Sequence, residues 1–566
     1  MKVLVMNLTR LGDLLQSQPT VAGLKAQGHS VALACLENFA PAASLMQGLD
    51  GVFPFPGARL LARLDQDWRL ALAAYREATE RIRHEFAPDL VINLTPSEPA
   101  RLMAMSLGAA ELRGFALDDH GFNADSGAWA AFLQLASSSR GASPFNIVDI
   151  FRRIAGLSGA PDNSGGFGLR GPTPEARSEA QVRLHGLLPD GLQGAPAKGF
   201  VALQLGASED RRRWPVARFA QVARGLVEAG FAPVLVGTAQ EKALGERLRA
   251  ELGPCGPAGS SAPVIDLMGQ TDLPALAAVL AECRLLVTND TGTMHLAAGL
   301  GVPCLALFLA TAQPWDTGPY LPGSICLEPD MACHPCGFGQ DCPHLTDGNE
   351  ACRQAIAPET VLALALDMLC GRATAGGDST DGGGARVWRT VINSGSGPGS
   401  GADGLMDLVS LSGHDQEDHT RFIRIQRTLY RRYLDGESLD LAATPAGPPT
   451  AGASGLSAEA AGPLLKALGT ASEFLFLLER QGQLLGRDPM KSVKAKFLAT
   501  WQRVQSSLCA DPRLTMLSAL WMFETERPGL DMPEILALAA RFRALIDAMR
   551  ASVEIGMNTA YGHADQ

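Results

Sequence analysis

The 566-residue chain has no uninterrupted apolar run of the length a membrane span needs. Its opening residues, MKVLVMNLTRLGD, contain a short apolar run with no small-residue cleavage site behind it, so they do not read as a signal peptide. These two gaps lead us to expect a soluble, cytoplasmic protein. Basic charge is also scarce. Lys and Arg number 48 against 59 Asp and Glu, for a net charge of −11. A nucleic-acid partner wants a basic face, so none is expected, and a phosphate-bearing substrate must be met by local positive charge. Eleven cysteines are few for a disulfide scaffold of this size. No G-x-G-x-x-G follows the first apolar run, which argues against a dinucleotide oxidoreductase.

What the sequence does contain is a repeated alternation of apolar runs and amphipathic helices. KVLVMN (2–7), HSVALAC (29–35) and PDLVINL (88–94) read as buried strands with helices between them, which means a parallel sheet covered on both faces. The pattern restarts at GFVALQLGA (199–207) and continues through FAPVLVG (231–237), CRLLVTND (283–290) and PCLALFL (303–309). The expected fold class is therefore α/β, with two Rossmann-like doubly wound domains at 1–175 and 198–370. The turn-rich stretch 176–199 reads as the linker between them. Ligand is expected in the cleft outside the strand C-termini. Gly, Ser and Asp dominate 371–416, which reads as a second linker, and 417–566 reads as a helical extension.

Three loops carry candidate chemistry. After the first strand, Gly12 permits close backbone approach and Asp13 opens a helix. Asp13 reads either as an ordinary helix N-cap or as a carboxylate facing the cleft that takes a proton from an acceptor hydroxyl. In the second half, Arg211, Arg212 and Arg213 precede Trp214-Pro215. Cations at a helix start oppose the dipole, a conflict that a bound anion would relieve, and arginine matches phosphate bidentately; the alternative is a solvated basic loop. Thr288-Asn289-Asp290-Thr291-Gly292-Thr293-Met294-His295 lies between a strand and an Ala-rich helix. Its small residues leave backbone N–H groups at the helix N-terminus, suited to a diphosphate.

Together these segments resemble glycosyltransferase family 9, the ADP-heptose:lipopolysaccharide heptosyltransferases, over about residues 1–370. RLGDLLQSQPTV is similar to the family's N-terminal segment, RRRWP to its K-x-W-P, and NDTGTMHLAAGLGVPCLALF to its DTG-x-x-H-x-A signature. DTGPY (316–320) is similar to the stretch that follows. The resemblance implies a GT-B fold and an inverting transfer that requires no metal cofactor. It implies Asp13 as the base, with Gly12, Arg212, Glu241, Asp290, Thr291, Gly292 and His295 on the ADP-heptose donor. Arg212 stands where the family usually has lysine, which keeps the charge and changes its geometry. The leading expectation is heptose transfer in lipopolysaccharide core biosynthesis. The alternatives are a protein (autotransporter or flagellar) heptosyltransferase, and a non-catalytic nucleotide-binding or scaffold protein on the same fold.

Within the cysteine-rich loop 326–352, Cys333, Cys336, Cys342 and Cys352 are spaced C-x2-C-x5-C-x9-C, too widely for a standard zinc ribbon. Four thiols so close together in a cytosolic chain favour a metal over disulfides, with redox-labile pairs and free buried thiols as alternatives. His334 and His344 are substitute ligands. In autotransporter heptosyltransferases related to this family a comparable cluster holds iron, so zinc and iron both stay open, in a structural role. In 417–434, Phe422, Ile425, Leu429 and Tyr433 share one helical face, and Arg421, Arg424, Arg427, Arg431 and Arg432 crowd the rest. That face reads as solvated, or as contact with an anionic acceptor or the inner membrane surface.

Overall fold

The computed structural model describes residues 1–138, 141–159, 168–188, 198–253, 263–346, 349–372, 382–392, 403–440, 455–527 and 529–561. Five strands form the first sheet: β1 (Lys2–Asn7), β2 (Ser30–Leu36), β3 (Gly51–Phe55), β4 (Leu90–Asn93) and β5 (Glu111–Gly114). Their order is β3-β2-β1-β4-β5 and every pairing is parallel. β1 reads as one apolar run because both of its faces are covered, with Val3, Leu4, Val5 and Met6 fully buried.

The second sheet contains β6 (Phe200–Gln204), β7 (Ala232–Val236), β8 (Ile265–Asp266), β9 (Cys283–Asn289), β10 (Cys304–Leu307) and β11 (Ile325–Pro329). β12 (Leu345–Thr346) and β13 (Asn349–Glu350) form a separate hairpin, and β14 (Ala385–Ile392) and β15 (Met406–Ser410) close one edge of the large sheet. The order is β15-β14-β11-β10-β9-β6-β7-β8, parallel from β11 to β8 and antiparallel at β14 and β15. In each sheet the strand order reverses once, between β1 and β4 and between β6 and β9. The crevice at such a reversal is where doubly wound sheets bind ligands.

Two linker expectations need correction. Pro174–Gly186 is a helix, capped by the Thr173 hydroxyl on the Ala176 amide at 3.2 Å. It buries only Ala180 and Leu184, too little for an apolar stripe to stand out in the sequence. Within 371–416, residues 385–392 and 406–410 are the strands β14 and β15. Trp388 on β14 stacks edge-on with Trp315 at 5.7 Å and donates its indole N–H to the buried Glu328 at 2.9 Å. The Gly- and Ser-rich stretches 373–381 and 393–402 lie outside the described residues. The DTGPY segment docks the crossover between the sheets. The Tyr320 hydroxyl donates to Asp149 at 2.6 Å, and Asn146 donates to the Gly318 carbonyl at 3.1 Å.

The described residues within 131–144 and 413–561 make a second compact unit. It contains the helices Asp418–Leu434, Ala458–Arg487, Lys491–Leu508, Thr515–Thr525 and Met532–Tyr561. Leu429, Tyr433, Leu468, Leu475, Trp521 and Phe542 fill its core. Ala458–Arg487 is long and apolar enough to cross a membrane by length and composition, which the sequence reading had not found. Here Leu464, Leu468, Leu475 and Leu478 bury one of its stripes. The basic face of Asp418–Leu434 is not a solvated one. Arg427 and Arg432 are buried, Arg424 pairs with Asp415, and Arg431 pairs with Glu437 at 2.6 Å. Arginines already committed to acids and carbonyls leave little charge for a membrane.

In the first sheet's domain, Arg101 is fully buried and bonds the Asp125 carboxylate and the carbonyls of Pro96 and Ala116. Removing one partner of such a pair strands the other charge. Arg101→Ala is expected to destabilise the protein by about 3–5 kcal/mol, read as a lower urea midpoint. An unchanged midpoint would show that water reaches Asp125.

Candidate active site at the two switch points

Four strands end at the two switch points, and each ends in a buried amide side chain. Asn7 closes β1, accepting from the Thr9 amide at 3.3 Å and the Thr9 hydroxyl at 2.5 Å, and donating to the Asp13 carbonyl at 3.0 Å. Asn93 closes β4, accepting from the Thr95 amide at 3.0 Å and donating to the Phe115 carbonyl at 2.8 Å. Thr95 in turn accepts from the Leu8 amide at 2.8 Å. Gln204 closes β6 and accepts from the Gly206 amide at 2.6 Å. Asn289 closes β9, accepting from the Trp214 amide at 2.9 Å and donating to the carbonyls of Leu205 and Gly206 at 2.9 and 3.1 Å. Sequence reasoning gave none of the four this role, although Asn289 lies in the Thr288–His295 segment it singled out. The signal was there, in an amide ending each apolar run: KVLVMN, LVIN, FVALQ and LLVTN.

Asp13 is not a helix N-cap. Arg10 occupies that position, and Asp13 is the third residue of the helix Leu11–Gln16. The start of this helix faces the start of the helix Gly292–Gly299. A Cβ on Gly12 would lie 2.8 Å from His295 Cδ2, and one on Gly292 would lie 3.3 Å from Leu11. Asp13 and His295 thus meet across the two sheets' domains. Asp13 keeps part of its surface open but is densely surrounded, and burial raises its carboxyl above the ordinary carboxylate range, against the lowering pull of His295 and of the Arg10 amide. Burial pushes His295 down to about 4, with Asp13 pulling the other way. His295 is therefore neutral at neutral pH.

On the second sheet's side, Thr291 caps the helix Gly292–Gly299 in extended backbone with no side-chain cap bond, which leaves the first-turn amides to a ligand. Asp290 pairs with Arg212, whose guanidinium also donates to Ser208 at 3.1 Å. Arg212 Nε is buried without a partner. The other two arginines of the run are spent locally. Arg211 bonds Glu209 at 2.8 Å and the Gln340 carbonyl at 3.0 Å, and Arg213 bonds the Ala207 carbonyl at 2.9 Å. So Arg212 alone of the three reaches the Asp290 loop. Glu241 closes a capping box, accepting from the Thr238 amide at 2.8 Å. Its carboxylate lies against Gly206, where a Cβ would fall 1.5 Å from Glu241 Oε1. Gln16 on the Asp13 helix, and Thr311 and Gln313 in the segment after β10, also hold buried polar atoms without a protein partner.

The cysteine loop is structured around the described residues. Cys336 is held by its amide to the Ala310 carbonyl at 2.9 Å, and Cys342 Sγ accepts from the His344 amide at 3.4 Å. None of the four cysteines is in a disulfide. Burial raises the thiol of Cys336, which also feels Cys333 and Cys342. Burial pushes Cys352 up to about 11, with Cys336 and Cys342 adding to it. The four thiols share one neighbourhood, and their chemistry suits a soft metal. Among the described residues they do not close into a tight ligand shell as they stand. His334 is buried beside Glu328, Nδ1 to Oε2 being 3.3 Å, without a hydrogen bond at either ring nitrogen.

Two doubly wound sheets with opposed switch-point loops, one bearing a carboxylate and the other an uncapped helix N-terminus and an arginine, make a fold of the GT-B kind. Residues 167–344 match Glycosyltransferase family 9 (heptosyltransferase), so the similarity covers less than half of the chain. The chain is 39% identical over 92 residues to lipooligosaccharide heptosyltransferase 2 of Haemophilus ducreyi, covering 16% of this chain and 25% of that protein. It is 35% identical over 150 residues to lipopolysaccharide heptosyltransferase 1 of Pseudomonas aeruginosa, covering 26% of this chain and 38% of that protein. The similarity thus spans well under two thirds of either relative. A solved family 9 structure from Veillonella parvula covers 65% of this chain and 97% of itself, at 19% identity and a TM-score of 0.49.

Gly206→Ala drives the Glu241 carboxylate off the Thr238 amide. The lost cap is expected to cost about 0.5–2 kcal/mol, read as a lower denaturation midpoint with an unchanged circular dichroism spectrum. A midpoint equal to wild type would mean that Glu241 does not hold this turn.

Proposed function

We propose that the protein is an inverting glycosyltransferase that moves heptose from ADP-heptose to an acceptor hydroxyl of the lipopolysaccharide core, at the cytoplasmic face of the inner membrane. The observation that carries this reading is Asp13, half-buried in the first turn of the helix after β1 and facing His295 and the uncapped start of the Gly292–Gly299 helix. An inverting transfer needs a base on one face of the anomeric carbon and positive charge with N–H donors on the leaving diphosphate. In this reading Asp13 takes the acceptor proton. The amides at Gly292 and Thr293, with Arg212, hold the diphosphate, and Asp290 orients Arg212. Glu241 lies beside the β6 and β7 loops, where it would meet the nucleoside. The unpartnered Gln16, Thr311 and Gln313 are candidates for the sugar hydroxyls.

The four cysteines would hold a structural zinc or iron through their thiolates once the loop closes around it, fixing 333–352 near the Arg211 turn. No step of the transfer passes through that metal.

Asp13→Ala is expected to lower transfer at least about a hundredfold while sparing ADP affinity. Arg212→Ala is expected to weaken ADP binding about tenfold or more and transfer with it. The base must be ionised, and burial raises the Asp13 pKa, so kcat/KM should rise with pH through a value above the ordinary carboxylate range. His295, pushed down to about 4, should add no limb near its usual 6.5. An acid limb at the ordinary carboxylate value, or near-normal turnover in Asp13→Ala, would remove Asp13 from the role of base.

A further inference from the structure

Among the described residues, two that are not glycine take a positive φ, Ala87 at 52° and Ala310 at 54°. Ala87 is exposed and follows the end of the helix Trp68–Glu85, its amide on the Ile82 carbonyl at 3.1 Å, an ordinary place for such a conformation. Ala310 is buried, in the turn after β10 that the Ala312 amide closes on the Leu309 carbonyl at 3.1 Å. Tight turns with a positive φ at this position normally use glycine. An alanine is strained there, and such strain persists where the surroundings hold it in place.

What holds Ala310 is the cysteine loop. Its carbonyl accepts from the Cys336 amide at 2.9 Å. Burial pushes the Cys352 thiol up to about 11, and a hydrogen bond from the Ala310 backbone to its sulfur pulls the other way. Both backbone polar groups of this one residue are thus taken by cysteines. The loop is itself pinned on its other side. Arg211 donates to the Gln340 carbonyl at 3.0 Å, and Arg353 donates to the Arg213 carbonyl and to Asp210, each at 2.9 Å.

The residues that follow Ala310 are the ones left without partners. Thr311 and Gln313 are 1% and 3% exposed, yet Thr311 Oγ1 and Gln313 Nε2 meet no protein atom they can bond. Buried polar atoms of this kind are costly unless a ligand or water satisfies them. The turn lies beside the Asp290 loop, because the Asp290 amide donates to the Leu307 carbonyl at the end of β10, at 3.2 Å. We propose that Ala310 is a positioning residue: the cysteine loop grips it in left-handed backbone and thereby aims Thr311 and Gln313 at the sugar of the bound nucleotide sugar. The inference rests on the reading of the chain as a nucleotide-sugar transferase. It divides recognition in two, with the diphosphate held at Arg212 and the Gly292–Gly299 helix and the sugar held by the turn after β10. It gives the cysteine loop a part in donor choice.

The test is calorimetric titration of the full chain with ADP and with ADP-heptose, in wild type and three variants. Q313L should lower affinity for ADP-heptose about threefold to tenfold and leave affinity for ADP unchanged. C352A should lower affinity for ADP-heptose about threefold or more, again with ADP unchanged. A310G/C352A should recover most of that loss, because glycine takes a positive φ without being held there. Glycine at this position repairs neither a lost metal ligand nor a misfolded loop, so recovery is specific to the grip on Ala310. The proposal is overturned by C352A behaving as wild type, by C352A lowering both affinities alike, or by a double variant no better than C352A. Unchanged ADP-heptose affinity in Q313L would overturn it as well. A wild type that binds neither titrant would overturn the transferase reading, and the positioning role with it.

Discussion

The site depends on four buried amides. Parallel strands buried on both faces must be apolar, yet the loop after each strand must turn sharply and leave its backbone groups satisfied. Asn7, Asn93, Gln204 and Asn289 meet both demands at the ends of β1, β4, β6 and β9. Each offers a buried acceptor to an amide of the loop that follows or packs beside it. An amide side chain so buried and left unpaired would cost about 1–3 kcal/mol. The loops are therefore fixed before any ligand arrives, and fixed loops are what place Asp13, Arg212 and the start of the Gly292–Gly299 helix opposite one another.

Two electrostatic arrangements follow from this placement. Asp13 and His295 share a crowded space in which neither bears its charge easily, so the carboxyl is raised and the imidazole lowered. A carboxylate held this way is a stronger proton acceptor than one in water. Arg212 is paired to Asp290 across two loops of one sheet, and Asn289, beside Asp290, also ties down the Trp214 amide. One strand end thus sets both the arginine and the helix N-terminus, so the two parts of the proposed anion site are held as one piece.

The alternation of strand and helix was legible because parallel strands read as continuous apolar runs, and KVLVMN, LVIN, APVLV and CRLLVTN all lie on observed strands. The errors fell where burial is one-sided. ARVWRTVI is the strand next to the edge, paired with β11 and β15, with partly alternating burial, and it is flanked by glycine-rich stretches that outweighed it in composition. The helix Pro174–Gly186 touches the core through two residues only. Asp13 and the Asp290–His295 segment could be picked out by sequence pattern. That Arg211 and Arg213 are occupied by neighbours, that Glu241 presses on Gly206, and that the helix Gly57–Leu64 buries none of its residues depend on tertiary placement, which no local pattern records.

The central claim is that the second sheet's switch point holds the diphosphate of a nucleotide sugar, and calorimetric titration of the intact protein tests it most directly. With ADP-heptose, ADP, UDP and GDP as the titrants, the account predicts selective binding of ADP and ADP-heptose. Preference for UDP or GDP would keep the fold and contradict the heptose donor. Absence of binding to all four would contradict the anion site itself and leave a non-catalytic protein on a transferase fold.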